Sequence, residues 1–210
     1  MKKFINKSLA CLVVCILICT INSYAVEEFK AFRSKDFNGN SASDTSVYYG
    51  VWTFQKLGYR NAGGSGNYYN NCDRNFVLNW INGYSNNYGF YEYAHGDSQL
   101  FTMQVGNQWN NIYPSDISGN WHLVFLDSCS CLSTTRFARA FNIYGYGNRA
   151  IMGWYDTVLQ VSSADWWQYF YRYAGNMGLR KACLSAARDS AYDNPIRLFG
   201  DGDWNGIARY

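Results

Sequence analysis

Residues 121–129, with the sequence WHLVFLDSC, decide the fold class of this chain. From His122 to Leu126 the residues are almost all apolar, which is typical of a central strand buried on both faces of a parallel sheet. The run then stops abruptly at Asp127-Ser128-Cys129. Because ligands of α/β proteins bind at the carboxyl ends of parallel strands, we expect Cys129 at a functional edge of the sheet.

A second strand ends in a similar way earlier in the chain. The segment Tyr88–Ala94 predicts a strand, and His95 and Gly96 follow it directly. The chain's other histidine, His122, lies inside the apolar strand, where an imidazole is more often a core group, so we exclude it as a base. Loops that leave neighbouring parallel strands converge on one crevice. His95 and Cys129 are therefore expected to face each other.

Helix and strand patterns alternate along the rest of the chain. Apolar spacing and capping residues predict helices over 43–58, 73–83, 133–141, 166–174 and 178–190. Further strands are predicted over 29–32, 99–103 and 148–154, and loops over 61–71 and 107–119. This alternation predicts an α/β three-layer sandwich, with a mainly parallel central sheet flanked by helices.

Residues 1–25 have the features of a signal peptide. They begin with a basic segment, continue with the apolar run 9–21, and end in the small residues of Ser23-Tyr24-Ala25. The apolar run is short for a membrane span, which needs about 20 residues. We therefore expect a secreted or cell-surface protein without stable membrane insertion after signal cleavage. Residues 26–210 have a length that suits a single domain.

Charge excludes one class of partner. The formal net charge of +3 comes from Lys2, Lys3 and Lys7, so residues 26–210 carry equal numbers of basic and acidic side chains. A nucleic-acid-binding protein usually shows a basic patch or stripe, and no such pattern remains here. We expect no nucleic-acid partner.

Four cysteines follow the predicted signal peptide: Cys72, Cys129, Cys131 and Cys183. A disulfide between Cys72 and Cys183 is one option for a secreted chain. The paired Cys-x-x-Cys or His-x-x-x-His spacing of zinc sites is missing from the sequence. We predict neither a metal site nor a cofactor.

The residue types at the two strand ends suit nucleophilic catalysis. A Cys129 thiolate could attack an amide carbonyl, and a neighbouring His95 imidazole could take the thiol proton and later protonate the leaving amine. The backbone N–H groups of Gly96 and Cys129 could stabilise the oxyanion. Taken singly, Cys129 could instead be a small buried residue at a strand end, and His95 a structural histidine.

The pair of motifs resembles a known group of enzymes. His95-Gly96 after one strand, followed by Asp127-Ser128-Cys129 after the next long apolar strand, is similar to the cysteine peptidases of caspase-like fold. That group includes caspases, legumains, clostripain-like enzymes and gingipains. The similarity extends to Ala150–Trp154 and to Pro195–Asp201, and it covers about residues 43–203. The resemblance implies a caspase-like fold and a dyad of His95 and Cys129.

The same resemblance implies a specificity. In clostripain-like relatives, acidic residues two places before the nucleophile and near the end of the following strand line a pocket for basic side chains. Asp127 and Asp156 fall at similar places. They would favour cleavage after Arg or Lys, although Asp127 could instead tether its loop and Asp156 could be solvated. Cys131 departs from the small residue of many relatives, and it could be a substitute nucleophile, a redox partner or a loop residue.

These features together predict a secreted, metal-independent cysteine endopeptidase acting on peptide or protein substrates. Two other functions stay open at this point. One is a non-catalytic binding module of the same fold, whose exposed aromatic residues would hold peptide or glycan; the candidates are Tyr68, Tyr69, Trp109 and Tyr113. The other is a thiol amidase acting on cell-wall peptides.

Overall fold

A computed structural model describes residues 27–63, 68–70, 72–83, 89–190 and 196–208. The predicted signal peptide, residues 1–25, lies outside this described part. None of the described helices is long and apolar enough to cross a membrane.

A mixed sheet forms the centre of the described chain. Its strands are β1 (Glu28–Arg33), β2 (Arg60–Asn61), β3 (Tyr69–Asn70), β4 (Gly89–Tyr93), β8 (Leu123–Asp127), β9 (Ala150–Trp154) and β10 (Ile196–Gly200). They run in the spatial order β10-β9-β8-β4-β1-β2, with β3 also paired to β1. All neighbouring pairs are parallel except β10, which is antiparallel to β9.

A second, antiparallel sheet follows β4 directly. It consists of β5 (His95–Gly96), β6 (Phe101–Val105) and β7 (Gln108–Ile112), in that spatial order. The prediction of a loop over 107–119 is therefore wrong, because residues 108–112 pair with β6 along their whole length. The sequence QWNNI has few apolar residues that would predict a strand. The strand forms because its residues pair with those of β6.

Helices cover both faces of the central sheet. They are α1 (Ser41–Lys56), α2 (Arg74–Gly83), α3 (Arg136–Ala140), α4 (Gln160–Tyr173) and α5 (Leu179–Asp189). The helices α1, α4 and α5 pack with one face of the sheet, and α2 and α3 pack with the other. The predicted three-layer α/β sandwich with a mainly parallel sheet is confirmed.

The helix boundaries were predicted with uneven success. Asp73 caps α2 as expected, since its carboxylate accepts the Phe76 N–H at 2.7 Å. The helix α1 starts before the predicted residue 43, because the Asn40 side chain caps it by accepting the N–H groups of residues 42 and 43. The helix α4 begins at Gln160, earlier than the predicted start at Trp166. A helix start without a side-chain cap carries no local signal of its own.

The buried core is unusually aromatic. The central strand β8 is buried along its whole length, and Phe125 packs against Trp166 and Trp167 of α4 with ring centroids 5.6 and 4.5 Å away. Each large ring buries about 150–250 Å² of surface. This packing holds β8, and therefore the loop that follows it, in a fixed position.

Candidate active site

Three neighbouring parallel strands end at one edge of the sheet. β1 leads into a single 3-10 turn, Lys35–Phe37; β4 leads through Ala94 to His95; and β8 leads through Ser128 to Cys129. A pocket of about 90 Å³ lies at this edge. Its lining residues are Phe37, Tyr93, Ala94, His95, Asp127, Cys129, Val158, Gln160 and Ser163.

The His95 imidazole is held by the turn that follows β1. Its Nε2 lies 2.6 Å from Oδ2 of Asp36, and its ring packs on Phe37 with centroids 4.6 Å apart. Trp109 of β7 meets the ring edge to face at 5.4 Å. With Nε2–H donating to the Asp36 carboxylate, the basic lone pair is on Nδ1. The imidazole can then accept a proton at Nδ1 while Asp36 fixes its orientation.

Asp36 was missed by the sequence analysis. Its carboxylate also accepts a hydrogen bond from the Ser34 hydroxyl, and Ser34 Oγ in turn accepts the Gln104 N–H at 2.7 Å. The signal for Asp36 was present, because it closely follows a strand of the sheet just as His95 and Cys129 do.

The Cys129 thiol is partly exposed and lies against the chain that enters α4. The Val158 N–H donates to Cys129 Sγ at 3.4 Å, and Sγ lies 3.7 Å from the Val158 carbonyl oxygen. A bond of this kind becomes stronger when the sulfur carries negative charge. Within the described residues no hydrogen bond joins His95 to Cys129. Such bonds are often long in unliganded sites and shorten in the substrate complex.

The backbone around Cys129 forms a tight turn. Ser130 has a φ of 55°, in the left-handed region that non-glycine residues seldom adopt. Its N–H donates to the Asp156 carbonyl oxygen at 3.1 Å, which ties the cysteine loop to the loop after β9. A conformation of this kind costs about 1–3 kcal/mol and persists only where surrounding contacts impose it.

The two predicted oxyanion donors have free N–H groups within the described chain. The Asp97 N–H donates to the Leu100 carbonyl at 2.9 Å, so the next pair of the antiparallel ladder, Gly96 with Phe101, is a non-hydrogen-bonded pair. The Gly96 N–H therefore points away from β6. The Cys129 N–H has no acceptor among the described residues.

Asp127 is fully enclosed below the pocket. Its carboxylate accepts hydrogen bonds from Tyr91 Oη at 2.9 Å, Trp154 Nε1 at 2.6 Å, Trp167 Nε1 at 2.7 Å and Ser163 Oγ at 3.0 Å. Burial raises the pKa of Asp127, and these hydrogen bonds act in the opposite direction. All four donors are neutral, so they fill the lone pairs of the carboxylate without cancelling its charge.

Asp156 occupies a different position from Asp127. It is exposed on the loop after β9, and its carboxylate accepts the Thr157 N–H at 2.7 Å. Its backbone, by contrast, anchors Ser130 beside the nucleophile. The structure therefore gives Asp156 a contact with the cysteine loop through its carbonyl group and leaves its carboxylate outside the pocket lining.

The remaining candidates separate by burial. Cys131 is completely buried, and desolvation raises the pKa of its thiol well above the usual range. His122 is also buried, and its Nδ1 lies 3.0 Å from Glu27. Trp109 and Tyr113 are exposed, whereas Tyr68 and Tyr69 are half-buried. The four cysteines that follow the predicted signal peptide are all free thiols. The disulfide between Cys72 and Cys183, one option from the sequence, is therefore not formed.

The described chain thus has an α/β fold with a histidine and a cysteine at the ends of adjacent parallel strands. The complex of the Porphyromonas gingivalis RgpB pro- and mature domains is a structural neighbour, with a TM-score of 0.53 over 88% of this chain at 9% identity. The Arg-specific cysteine proteinase gingipain R (RGPB) matches with a TM-score of 0.49 over 86% of this chain at 12% identity. The predicted caspase-like fold is confirmed by the first of these.

The likeness to these structures is confined to the fold and to part of their length. This chain covers 49% of the first neighbour and 47% of the second, about half of each. The sequence matches no protein-family model and no curated protein.

Proposed function

We propose that this protein is a secreted cysteine endopeptidase that hydrolyses peptide bonds with His95 as base and Cys129 as nucleophile. One observation carries the proposal: His95, oriented by Asp36, and the partly exposed Cys129 line the same pocket. The caspase-like fold agrees with that chemistry, although fold alone does not establish an activity. Secretion rests on the signal-peptide pattern of residues 1–25.

The reaction would proceed in two halves. In the first, the Cys129 thiol proton moves to His95 Nδ1, and the sulfur forms a bond to the carbonyl carbon of the substrate. The N–H groups of Gly96 and Cys129 hydrogen-bond the resulting oxyanion. The C–N bond then breaks, and the imidazolium gives its proton to the leaving amine. In the second half, water deprotonated by His95 hydrolyses the thioester and regenerates the thiol.

We also propose that the pocket favours a basic side chain, Arg or Lys, on the carbonyl side of the cleaved bond. Asp127 is among the residues at the pocket, its hydrogen-bonded carboxylate is buried beneath it, and within the described chain it forms no ion pair. A cationic substrate group would supply the missing positive charge in a region of low dielectric, where the attraction is strong. Asp156, exposed on the neighbouring loop, would add a weaker attraction at the entrance.

The test uses fluorogenic peptides that differ only in the residue before the cleaved bond: Arg, Lys, Leu or Asp. We expect turnover of the basic peptides by the wild type and none by Cys129→Ala or His95→Ala. Cys131→Ala is the matched control, since Cys131 is buried and its removal leaves the dyad intact. Equal turnover of all four peptides would contradict the proposed preference for basic residues and would still support peptidase activity.

A parallel labelling experiment distinguishes an enzyme from a binding module. Iodoacetamide alkylation of Cys129, mapped by mass spectrometry near neutral pH, should slow in His95→Ala if the imidazole activates the thiol. Slow labelling that is independent of His95 would favour the binding module. This conclusion also requires that limited proteolysis, which would activate a latent form, releases no peptidase activity. Turnover of cell-wall peptides alone would assign a thiol amidase instead.

A further inference from the structure

Glu92 is a buried acid beside the cysteine loop that the proposed reaction does not use. It lies on β4, three residues before His95, and none of its surface is exposed. Its Oε1 is hydrogen-bonded to the hydroxyl of Ser128, the residue immediately before Cys129. Its other oxygen, Oε2, is buried with no hydrogen-bond partner in the described chain.

The surroundings of the Glu92 carboxyl favour its neutral form. Burial raises the pKa of Glu92 well above its usual range; the hydrogen bond from the Ser128 hydroxyl acts in the opposite direction, and the nearby Asp127 carboxylate adds to the rise. The other titratable groups around it are Tyr91 on the same strand and Cys131 in the cysteine loop, and both are acids. Glu92 forms no ion pair among the described residues, and a buried charge without a partner is costly.

The carboxyl lies at a junction of three segments. Ser128 and Cys131 belong to the loop after β8, and Gly96 belongs to β5; a β-carbon on Gly96 would come within 2.7 Å of Ser128 Cβ and 2.6 Å of Cys131 Sγ. The cysteine loop is therefore tied on both sides of Cys129. The hydroxyl of Ser128 binds Glu92 on β4, and the N–H of Ser130 binds the Asp156 carbonyl after β9.

We propose that Glu92 is a positioning residue of the cysteine loop, which acts as a neutral acid through the Ser128 hydroxyl to keep Cys129 facing the pocket that it shares with His95. This inference rests on the proposed function for its purpose, since the position that is held is that of the nucleophile. In the neutral acid, Oε1 accepts the hydrogen bond from the Ser128 hydroxyl with no buried charge. An ionised Glu92 would draw water into the junction and loosen the loop.

The experiment compares Glu92→Gln, which keeps a neutral hydrogen-bonding group, with Glu92→Leu, which keeps only the bulk. Ser128→Ala removes the same hydrogen bond from the other side. We expect the alkylation rate of Cys129 at pH 7 to stay within about twofold of wild type in Glu92→Gln. The rate should change at least about tenfold in both Glu92→Leu and Ser128→Ala, with no further change when these two are combined.

A spectroscopic readout tests the neutral state directly. With ¹³C-labelled glutamate, we expect one carboxyl resonance at the protonated position at pH 7 that is missing from Glu92→Gln. Thermal unfolding of each variant shows that it is folded before its labelling is interpreted. The proposal is overturned if the alkylation rate of Cys129 in Glu92→Gln differs from wild type as much as it does in Glu92→Leu. It is also overturned if Glu92→Leu and Ser128→Ala both label at the wild-type rate, or if the Glu92 resonance is at the ionised position at pH 7.

These outcomes are separable from failure of the proposed function. If His95→Ala labels Cys129 as fast as wild type and no peptide is cleaved, the peptidase is rejected. The comparison of Glu92→Gln with Glu92→Leu then still reports whether Glu92 sets the position of the thiol, because alkylation requires no turnover. If His95→Ala slows labelling and the Glu92 variants do not alter it, the peptidase stands and the positioning role is rejected.

Discussion

Gly96 and Ser128 are packed so closely that a β-carbon on residue 96 would lie 2.7 Å from Ser128 Cβ. The contact joins the strand that follows β4 to the loop that follows β8. In chemical terms it joins the histidine segment of the site to the cysteine segment. The glycine next to His95 is thus needed for close approach of the two segments, in addition to the oxyanion contact proposed for its N–H.

We expect Gly96→Ala to lower the free energy of unfolding by about 1–3 kcal/mol, as overpacked core positions do. Alkylation of Cys129 should also slow, because the loop must move to admit the methyl group. Gly83→Ala is the matched control, since a β-carbon there would meet nothing within 4 Å. Urea unfolding and labelling of both variants provide the measurement. A Gly96→Ala protein that matches Gly83→Ala in both would contradict this packing argument.

Asp36 is expected to affect catalysis through its contact with His95. In Asp36→Asn the amide can no longer serve as a charged acceptor for Nε2–H, and the imidazole loses its preferred tautomer and orientation. General acid–base catalysis contributes about 10²–10⁴ in rate, so loss of orientation should lower kcat/KM by about 10- to 1,000-fold.

The control for Asp36→Asn lies in the neighbouring hairpin. Asp97 Oδ1 accepts the N–H groups of Gln99 and Leu100, and asparagine at 97 can accept the same bonds. Asp97→Asn should therefore keep the wild-type kcat/KM on the best peptide of the panel. An unchanged rate in Asp36→Asn would mean that the 2.6 Å contact with His95 does not orient the base.

The sequence predicted β1, β4, β8 and β9 because its signals there are local, and it missed β2, β3 and β10, of which β3 lies inside the predicted loop over 61–71. An apolar run ending in Asp-Ser-Cys is enough to predict β8. Asp73 predicts the start of α2 because its side chain accepts the N–H of the residue three positions later. The strand β7 was missed for the opposite reason. Its Gln and Trp side chains are exposed and its two Asn side chains are half-buried, and the strand exists because β6 (Phe101–Val105) offers it a pairing edge.

The environment of Asp127 could not have been read from the sequence. Its donors come from β4, β9 and α4, at residues 91, 154, 163 and 167, and no local pattern relates them. The sequence could place an acid two residues before the cysteine and could not tell whether its oxygens would be open or filled. Glu92 is a similar case, since a glutamate in an apolar strand indicates burial and leaves its partner unspecified.

The four free thiols should separate cleanly by reactivity. Burial raises the pKa of Cys72 to about 11, and it raises the pKa of Cys131 and Cys183 as well. Less thiolate is then present at neutral pH, and alkylation is slower in proportion. We expect iodoacetamide to label Cys129 first and the other three only after unfolding in urea. Labelling of native Cys131 at the rate of Cys129 would contradict its buried position and reopen its role as nucleophile.

The burial of Glu92 predicts a pH dependence of stability with a definite sign. The pKa of Glu92 is raised well above its usual range in the folded protein, so the folded state binds the proton more tightly than the unfolded chain does. The stabilisation is complete below the ordinary glutamate pKa, about 4.3, and is lost as pH rises through the pKa that Glu92 has in the folded protein.

The variant Glu92→Gln cannot ionise and should escape this loss. Its free energy of unfolding relative to wild type should therefore increase steadily from about pH 4 upward, by about 1.4 kcal/mol for each pH unit within that window. Urea unfolding of both proteins across pH 4–8 measures the difference. Subtraction removes the contributions of other carboxyls, including Asp201, whose pKa is lowered by backbone N–H groups and whose effect has the opposite sign. A difference that stays flat or shrinks with pH would show that Glu92 is charged in the folded protein.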